Sequence, residues 1–232
     1  MEMKSHEVDI HLGLAALILG ICLIAAASRI SRNENTVTVK GLCEKEVMAD
    51  RAIYPISYKE SGDNLESLYN TVRHKNDIIR QYLKEKGFSD AEISIGTPKL
   101  TDRLSDSYGT YQSRYTINSV VSLCTEKVEQ VIALQGDLSS LLDKGIAIGS
   151  GNEWETPAVY EITKLNDLKP EMIEAANQNA RATAEQFAKD SDSRLGDITS
   201  AAQGLFSIEP RDANTPYIKK VRVVTTVSYR LK

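Results

Sequence analysis

Few residues in this chain have the type and spacing that catalysis or metal binding requires. Of the three histidines, His6, His11 and His74, only His74 follows the apolar N-terminal run. A zinc site or a Ser-His-Asp triad would depend on that single residue. At 100° per residue, His74 lies opposite the apolar stripe of its predicted helix, which indicates an exposed surface histidine. We therefore predict no catalytic residues, no bound metal and no cofactor, and we do not expect an enzyme.

The cysteines offer no redox motif either. Cys22 falls in the apolar run, and no CxxC spacing joins Cys43 and Cys124. Both of the latter fall on predicted strands, where a small buried side chain is the more common role of cysteine. Sequence does not fix their separation, so whether Cys43 and Cys124 form a disulfide stays open.

Three aromatic residues in polar surroundings are the candidate ligand or interface residues. Tyr108 and Tyr111 fall in a polar loop at residues 101–114, and Trp154, the single tryptophan, falls in a glycine-rich stretch. Long loops that carry aromatic side chains can form binding sites. The alternatives are a solvated hairpin loop or one used in self-association, and for Trp154 a role in covering the edge of the core.

The charge of the chain argues against a nucleic-acid partner. The net charge is −4, and no run of Lys or Arg is longer than two residues. Proteins that bind nucleic acids usually present a basic surface.

The N-terminal region predicts a membrane anchor. Residues 10–27 are apolar except for His11, and as a helix they would rise about 27 Å, close to the thickness of the hydrocarbon core. We predict an N-terminal flank at residues 1–9 and a transmembrane helix at 10–30 that contacts the lipid bilayer. A cleaved signal peptide is the alternative, but acidic residues outnumber Lys4 in the leader. Arg29 and Arg32 weakly favour a cytoplasmic domain.

Beyond the anchor, strands and helices alternate in one predicted unit at residues 36–232. The fold class is α+β, an antiparallel β-sheet with packed helices. The patterns predict a β-hairpin over 36–58, helices over 64–86, 126–144 and 165–198, and strands over 93–100, 115–124, 146–148, 158–163, 200–208 and 219–231.

The third predicted helix carries a ladder of alanines spaced four residues apart. They are Ala176, Ala180, Ala184 and Ala188. Residues at this spacing share one helix face, and alanine lets that face approach a neighbour closely. We expect the alanine face to lie on the sheet, with Arg181, Glu185 and Lys189 pointing outward.

Two segments resemble the SIMPL-domain proteins, a bacterial envelope family catalogued as a domain of unknown function. The family opening reads Val-x-Val-x-Gly and ends Pro-Asp-x-Ala. Its matches here are Val37, Val39, Gly41, Asp50 and Ala52. Ala49 stands where proline is usual, and Cys43 where glycine is common. The alanine-laddered helix, followed by Leu195-Gly196, resembles the second motif.

The resemblance implies an α+β fold in the periplasm, self-association that is ring-like in some members, and links to envelope stress and immunogenicity. It supplies no catalytic residue. We follow it over the weak charge bias and expect a single-pass protein of the bacterial inner membrane with its domain in the periplasm. The leading hypothesis is a self-associating structural or interaction module of the cell envelope, present as a homo-oligomer. The alternative is a periplasmic module that binds a small molecule or peptide near Tyr108, Tyr111 and Trp154.

Overall fold

The computed structural model describes residues 20, 35–105, 112–137, 139–149 and 157–232. Within these ranges the chain forms nine strands and four α-helices. The strands are β1 (Thr36–Met48), β2 (Arg51–Gly62), β3 (Ile93–Ile95), β4 (Lys99–Asp102), β5 (Tyr115–Thr125), β6 (Val159–Glu161), β7 (Leu195–Gln203), β8 (Ser207–Pro210) and β9 (Ile218–Leu231). The helices are α1 (Leu65–Glu85), α2 (Val128–Gln135), α3 (Ser139–Asp143) and α4 (Leu165–Asp190). The predicted α+β class is confirmed.

The strands form two sheets. The four-stranded sheet has the order β1-β9-β7, and β8 also pairs with β9. The five-stranded sheet has the order β3-β5-β2-β6, and β4 also pairs with β5. The predicted hairpin of β1 and β2 is therefore wrong, although both strands exist. The two residues between them bond elsewhere: the Ala49 amide donates to the Tyr217 carbonyl at 2.8 Å and the Asp50 amide to the Glu161 carbonyl at 3.0 Å. These bonds carry the chain from one sheet into the other.

The chain divides into two compact units, whose boundaries fall within β1, α4 and β9 and between β7 and β8. Within the described ranges, the first unit comprises the residues up to 42, 176–204 and 224–232, and the second comprises the described residues between 43 and 175 together with 205–223. The sequence predicted a single unit over 36–232 and offered no composition change at these boundaries. Each unit has its own hydrophobic core.

The second unit is built on the five-stranded sheet, with α1 and α2 packed against it. Alternate residues of β2 point into its core, and Ala52, Ile56 and Tyr58 are fully buried. On β5, Val121 and Leu123 are buried in the same way. This alternation is the period-2 pattern of a sheet with one covered face.

The first unit has a much smaller core. Val39, Ala180, Ala184, Val227 and Tyr229 form it. All four alanines of the ladder are buried, while Arg181, Glu185 and Lys189 are exposed, as predicted.

Gly41 of β1 lies directly against the alanine face. A Cβ atom there would come within 1.9 Å of the Ala176 carbonyl oxygen and 2.6 Å of the Ala180 nitrogen. Only glycine allows such an approach of strand to helix. The glycine of the Val-x-Val-x-Gly opening therefore has a packing role in this chain.

Several predicted elements differ in extent, and the strand predicted over 200–208 is divided between β7 and β8. The helix predicted over 126–144 is two helices, α2 and α3, because the chain turns at Gly136 and Asp137, whose amides donate to Ala133 and Leu134. The strand predicted over 93–100 is interrupted between β3 and β4, around Pro98, which has no N–H to donate. The strand predicted over 146–148 is reduced to a single bridge between Tyr58 and Ile148.

The long helix ends at Asp190 and not at Ile198. Asp192 adopts a left-handed conformation with φ of 52°. The Asp192 amide then donates to the Lys189 carbonyl, and the Ser193 amide donates to the Ala188 carbonyl at 2.8 Å. This pair of bonds is the Schellman motif that closes a helix. Pro170 lies in the second turn of α4.

The predicted transmembrane helix at 10–30 lies outside the described residues except for Gly20. Among the helices within the described ranges, none is long and apolar enough to cross a membrane.

Candidate functional site

The second unit contains a half-open cleft of about 440 Å³. It lies beside β2 at the point where the neighbouring strand β6 has ended. β6 pairs with β2 only from Arg51 to Ile53, and the next contact on that side is the bridge at Tyr58. The described residues that line the cleft are Tyr54, Pro55, Ser57, Gln135, Leu142, Ile148, Gly149, Pro157, Ala158, Tyr160 and Pro216.

Pro55 keeps this side of β2 open without leaving an unsatisfied donor. The Ser57 carbonyl accepts a hydrogen bond from the Gly149 amide at 3.0 Å on the side where β6 lies. Residues two apart in a strand point their backbone polar groups to the same side. The Pro55 carbonyl therefore points into the gap, and proline has no N–H that would need a partner there.

Tyr54 is the most unusual residue of the cleft. Its side chain is 8% exposed, and its hydroxyl has no hydrogen-bond partner within the part of the chain that the structure describes. Burial, followed by the nearby Tyr160 and Tyr82, raises the pKa of Tyr54 to about 12. The hydroxyl is thus a neutral donor at any physiological pH.

Tyr160 lies next to it and is partnered. Its hydroxyl donates to Gln135 Oε1 at 3.1 Å, and its ring meets that of Tyr217 edge to face, with centroids 5.9 Å apart. Burial, and then the neighbouring Tyr217, raise the pKa of Tyr160. The Gln135 carbonyl oxygen is occupied by Tyr160, so its amide NH₂ remains as a donor.

Asp50, which the family motif singled out, has a structural task. Its carboxylate accepts hydrogen bonds from the Thr163 amide at 2.7 Å, the Thr163 hydroxyl at 2.9 Å and the Lys164 amide at 2.9 Å. Burial alone would raise the pKa of Asp50, but these bonds and the Lys164 charge lower it below its ordinary value. The carboxylate thereby satisfies backbone donors at the start of α4.

The three residues that the sequence proposed as a ligand or interface site, Tyr108, Tyr111 and Trp154, lie outside the described residues. In the sequence, Trp154 falls between Gly149 and Pro157, both of which line the cleft. The cleft residues themselves were missed. Pro55 within a strand pattern was the available signal, because proline in a strand indicates an unpaired edge.

The other chemistry-bearing residues do not assemble into a centre. His74 is exposed on α1, as predicted. Cys43 and Cys124 are not bonded to each other, and Cys124 is exposed, contrary to the expectation that it is buried. No group of three or more His, Cys, Asp or Glu side chains that could hold a metal ion occurs among the residues the structure describes.

A second candidate surface is the free edge of β7 in the first unit. β7 is the outer strand of its sheet, and its residues from Asp197 to Gln203 are all exposed. Asp197 is the one charged residue of the strand. Large apolar side chains are also exposed in this unit, with Phe187 at 56% and Ile198 at 59%.

A family model supports the resemblance seen in the two sequence motifs. The model named SIMPL, described as a protein of unknown function (DUF541), matches residues 37–229, which is well over half of the chain. None of the curated proteins matches the chain.

Proposed function

The chain belongs to the SIMPL family, and we propose that it is a membrane-anchored, periplasm-facing module of the cell envelope that self-associates and catalyses no reaction. The apolar run at residues 10–27 supports the anchor. The observation that carries self-association is the exposed, nearly uncharged edge of β7.

The two edges of the four-stranded sheet differ in how they are protected. At the β1 edge, the Leu42 amide donates to Asn179 Oδ1 at 3.4 Å, and charged residues such as Lys40 and Glu44 alternate along the strand. Charges and side-chain contacts of this kind discourage pairing with another chain. Over Thr199–Gln203, β7 has neither charged residues nor such side-chain contacts within the part of the chain that the structure describes. It is therefore the edge at which a second copy can pair.

The register of β7 identifies the backbone groups available for pairing. The Gly204 amide donates to the Val224 carbonyl at 2.8 Å, and the register Gln203↔Thr225, Ala202↔Thr226, Ala201↔Val227 follows from it. Because hydrogen-bonded and non-bonded pairs alternate, Ala202 bonds toward β9 while Ala201 and Gln203 point their backbone groups outward. An antiparallel β7–β7 pairing in a twofold dimer would satisfy these groups.

Proline substitution at two adjacent positions tests the pairing. Ala201→Pro removes an outward N–H and leaves the bonds to β9 intact, whereas Ala202→Pro removes a bond to β9. We expect the full-length wild-type protein in lipid nanodiscs or mild detergent to be oligomeric by light scattering. We expect Ala201→Pro to be folded but shifted to the monomer.

The matched variant Ala202→Pro should instead lower the melting temperature. A monomeric wild-type protein at high concentration contradicts self-association. An Ala201→Pro variant that is folded and fully oligomeric contradicts the β7 edge as its site.

The periplasmic orientation has a test in Cys124, which is exposed on the second unit. A membrane-impermeant maleimide should label Cys124 in intact cells whose outer membrane has been made permeable. The Cys124→Ser variant is the control for labelling at other cysteines. Labelling that requires lysis of the inner membrane would contradict a periplasmic domain.

A further inference from the structure

We infer that the cleft beside β2 binds a small, neutral, largely apolar carbonyl compound, whose oxygen accepts a hydrogen bond from the Tyr54 hydroxyl. This site is in the second unit and does not depend on self-association through β7. Four observations support the inference: the size of the cleft, its lack of charge, the unpartnered hydroxyl and the gap in strand pairing.

The size and lining of the cleft suit a small molecule. Its volume of about 440 Å³ lies at the lower end of the range of ligand sites in proteins. Apolar side chains make up much of the wall, among them Leu142, Ile148 and Ala158, together with the rings of three prolines. Such a wall favours an apolar body in the ligand.

The described lining of the cleft favours a neutral ligand. None of the described lining residues is acidic or basic. An ion that enters a mostly apolar cleft loses hydration and finds no opposite charge to compensate that loss. A neutral ligand therefore fits the described lining best.

The Tyr54 hydroxyl supplies the polar contact. It is held by a side chain that is 8% exposed, it lines the cleft, and no other described residue accepts its proton. A ligand carbonyl is the complementary acceptor, because a carbonyl oxygen accepts without bringing a donor of its own.

The gap in strand pairing explains why the cleft is present in the fold. β6 begins only at Val159, which pairs with Ile53, so Pro55 has no partner on β6. As a proline it has no backbone N–H that needs one. Pro157 and Pro216 bound the same cleft and likewise have no N–H. A wall built from three prolines resists closure by an added strand, so the space stays open to a ligand.

Benzophenone and two relatives test the inference on the full-length protein in lipid nanodiscs, with empty nanodiscs as the reference for partition into lipid. Benzophenone is neutral and has one carbonyl, diphenylmethane lacks the carbonyl, and 4-benzoylbenzoate adds a carboxylate. We expect saturable binding of benzophenone, binding of diphenylmethane that is weaker by about 3–10-fold, and no saturable binding of 4-benzoylbenzoate. Irradiation of bound benzophenone should attach it to peptides that contain cleft residues such as Leu142 or Ala158.

The variant Tyr54→Phe removes the hydroxyl alone. Because that hydroxyl has no described partner, we expect the melting temperature to stay the same or rise. The affinity for benzophenone should fall to that of diphenylmethane, whose own affinity should not change. Tyr69→Phe, at an exposed tyrosine on α1, is the matched control and should change neither affinity.

Several results would overturn the inference. They are benzophenone binding no stronger than that of diphenylmethane, an equal loss of both ligands in Tyr54→Phe, and a lack of saturable binding beyond that of empty nanodiscs. Tight binding of 4-benzoylbenzoate in the cleft would overturn the requirement for neutrality. None of these outcomes affects the β7 pairing, which the Ala201→Pro experiment decides separately.

Discussion

The two units of this chain differ in the size of the side chains that they bury. The second unit buries large side chains such as Tyr58, Ile56 and Leu123 between a sheet and its helices. The first unit buries the alanine face of α4 beside Val39, Val227 and Tyr229, and brings the helix backbone within contact of Gly41 of β1. Large buried side chains stabilise through the area removed from water, whereas a glycine–alanine contact stabilises through close backbone approach. The second unit should therefore be sensitive to truncation and the first to enlargement.

The largest effect is expected from Gly41→Ala in the first unit. The added methyl would overlap the Ala176 carbonyl, and both partners are backbone groups that cannot rotate away. We expect a loss of unfolding free energy of about 4 kcal/mol or more, measured by urea denaturation with hydrogen exchange to localise the change.

Gly136→Ala is the matched control for that substitution. A Cβ there would meet only the Ala133 oxygen, at 3.5 Å, and Gly136 has an ordinary φ of −77°. We expect no loss, or a gain of up to about 1 kcal/mol. Equal effects of the two substitutions would contradict the close-approach account of the first unit.

Truncation in the second unit is expected to have the next largest effect. Leu123 is fully buried in the centre of β5, and Leu123→Ala should cost about 3 kcal/mol through lost burial and the cavity left behind. Leu205→Ala, at a side chain that is 94% exposed, should be close to neutral. A small loss of unfolding free energy in Leu123→Ala, measured by the same denaturation experiment, would contradict the predicted difference between the two units.

Acid should weaken the second unit before the first. Among the described residues, every carboxyl group whose pKa is lowered lies in the second unit. These groups are Asp50, Asp90, Glu92, Asp102, Asp137 and Asp212.

For Glu92, the Ser89 amide and then the Thr125 hydroxyl lower the pKa from 4.5 to about 2. A carboxyl group whose pKa is lowered by folding stabilises the folded state at pH values above its ordinary pKa. For Glu92 this stability is lost as the pH falls from about 4.5 toward 2. Hydrogen exchange should then rise first in β5 and later in residues 176–190 of α4.

Glu92→Gln should reduce, by about 1 kcal/mol, the unfolding free energy that the second unit loses on acidification. This figure is modest because the site is partly solvated. Asp197→Asn, at an exposed carboxylate of the first unit, serves as the control and should change nothing. A rise in hydrogen exchange that begins in the first unit as the pH falls would contradict the expected order.

The smallest effect is expected at the C-terminal end of α4, in the first unit. Asp192 occupies the left-handed position of a Schellman motif, while Gly87 fills the equivalent position after α1 in the second unit, with φ of 90°. Glycine adopts this conformation without the strain of a Cβ. Asp192→Gly should therefore raise the unfolding free energy by up to about 1 kcal/mol, and Gly87→Ala should lower it by a similar amount. A loss of stability in Asp192→Gly would indicate an unrecognised task of that carboxylate.

The elements that the sequence predicted well are those with strong local patterns. β9 alternates Val221, Val223, Thr225, Val227 and Tyr229 on its buried face, as expected. α1 begins after Asn64, whose side chain accepts from the Ser67 amide, and ends before Gly87. The alanine ladder likewise has one natural orientation, toward a close neighbour.

The parts that were missed depend on distant partners. Nothing local in residues 36–58 shows that β1 pairs with β9 rather than with β2, because the deciding bonds of Ala49 and Asp50 reach residues 217 and 161. The cleft has the same origin: its walls come from β2, α2, α3 and residues near 148, 157 and 216. Pattern reasoning found aromatic loop residues instead, because it weighs a residue by its neighbours in sequence.

The passage of the chain from one sheet to the other between β1 and β2 also determines the order in which the protein can fold. The Thr38 and Ser228 hydroxyls lie 2.8 Å apart, although 190 positions separate them in the chain. In the second unit, β2 and β5 pair across a far shorter loop, from Gly62 to Tyr115. Closing longer loops costs more entropy and slows folding. During synthesis, the second-unit sheet can therefore begin to assemble early, whereas β1 stays unpaired until β9 emerges.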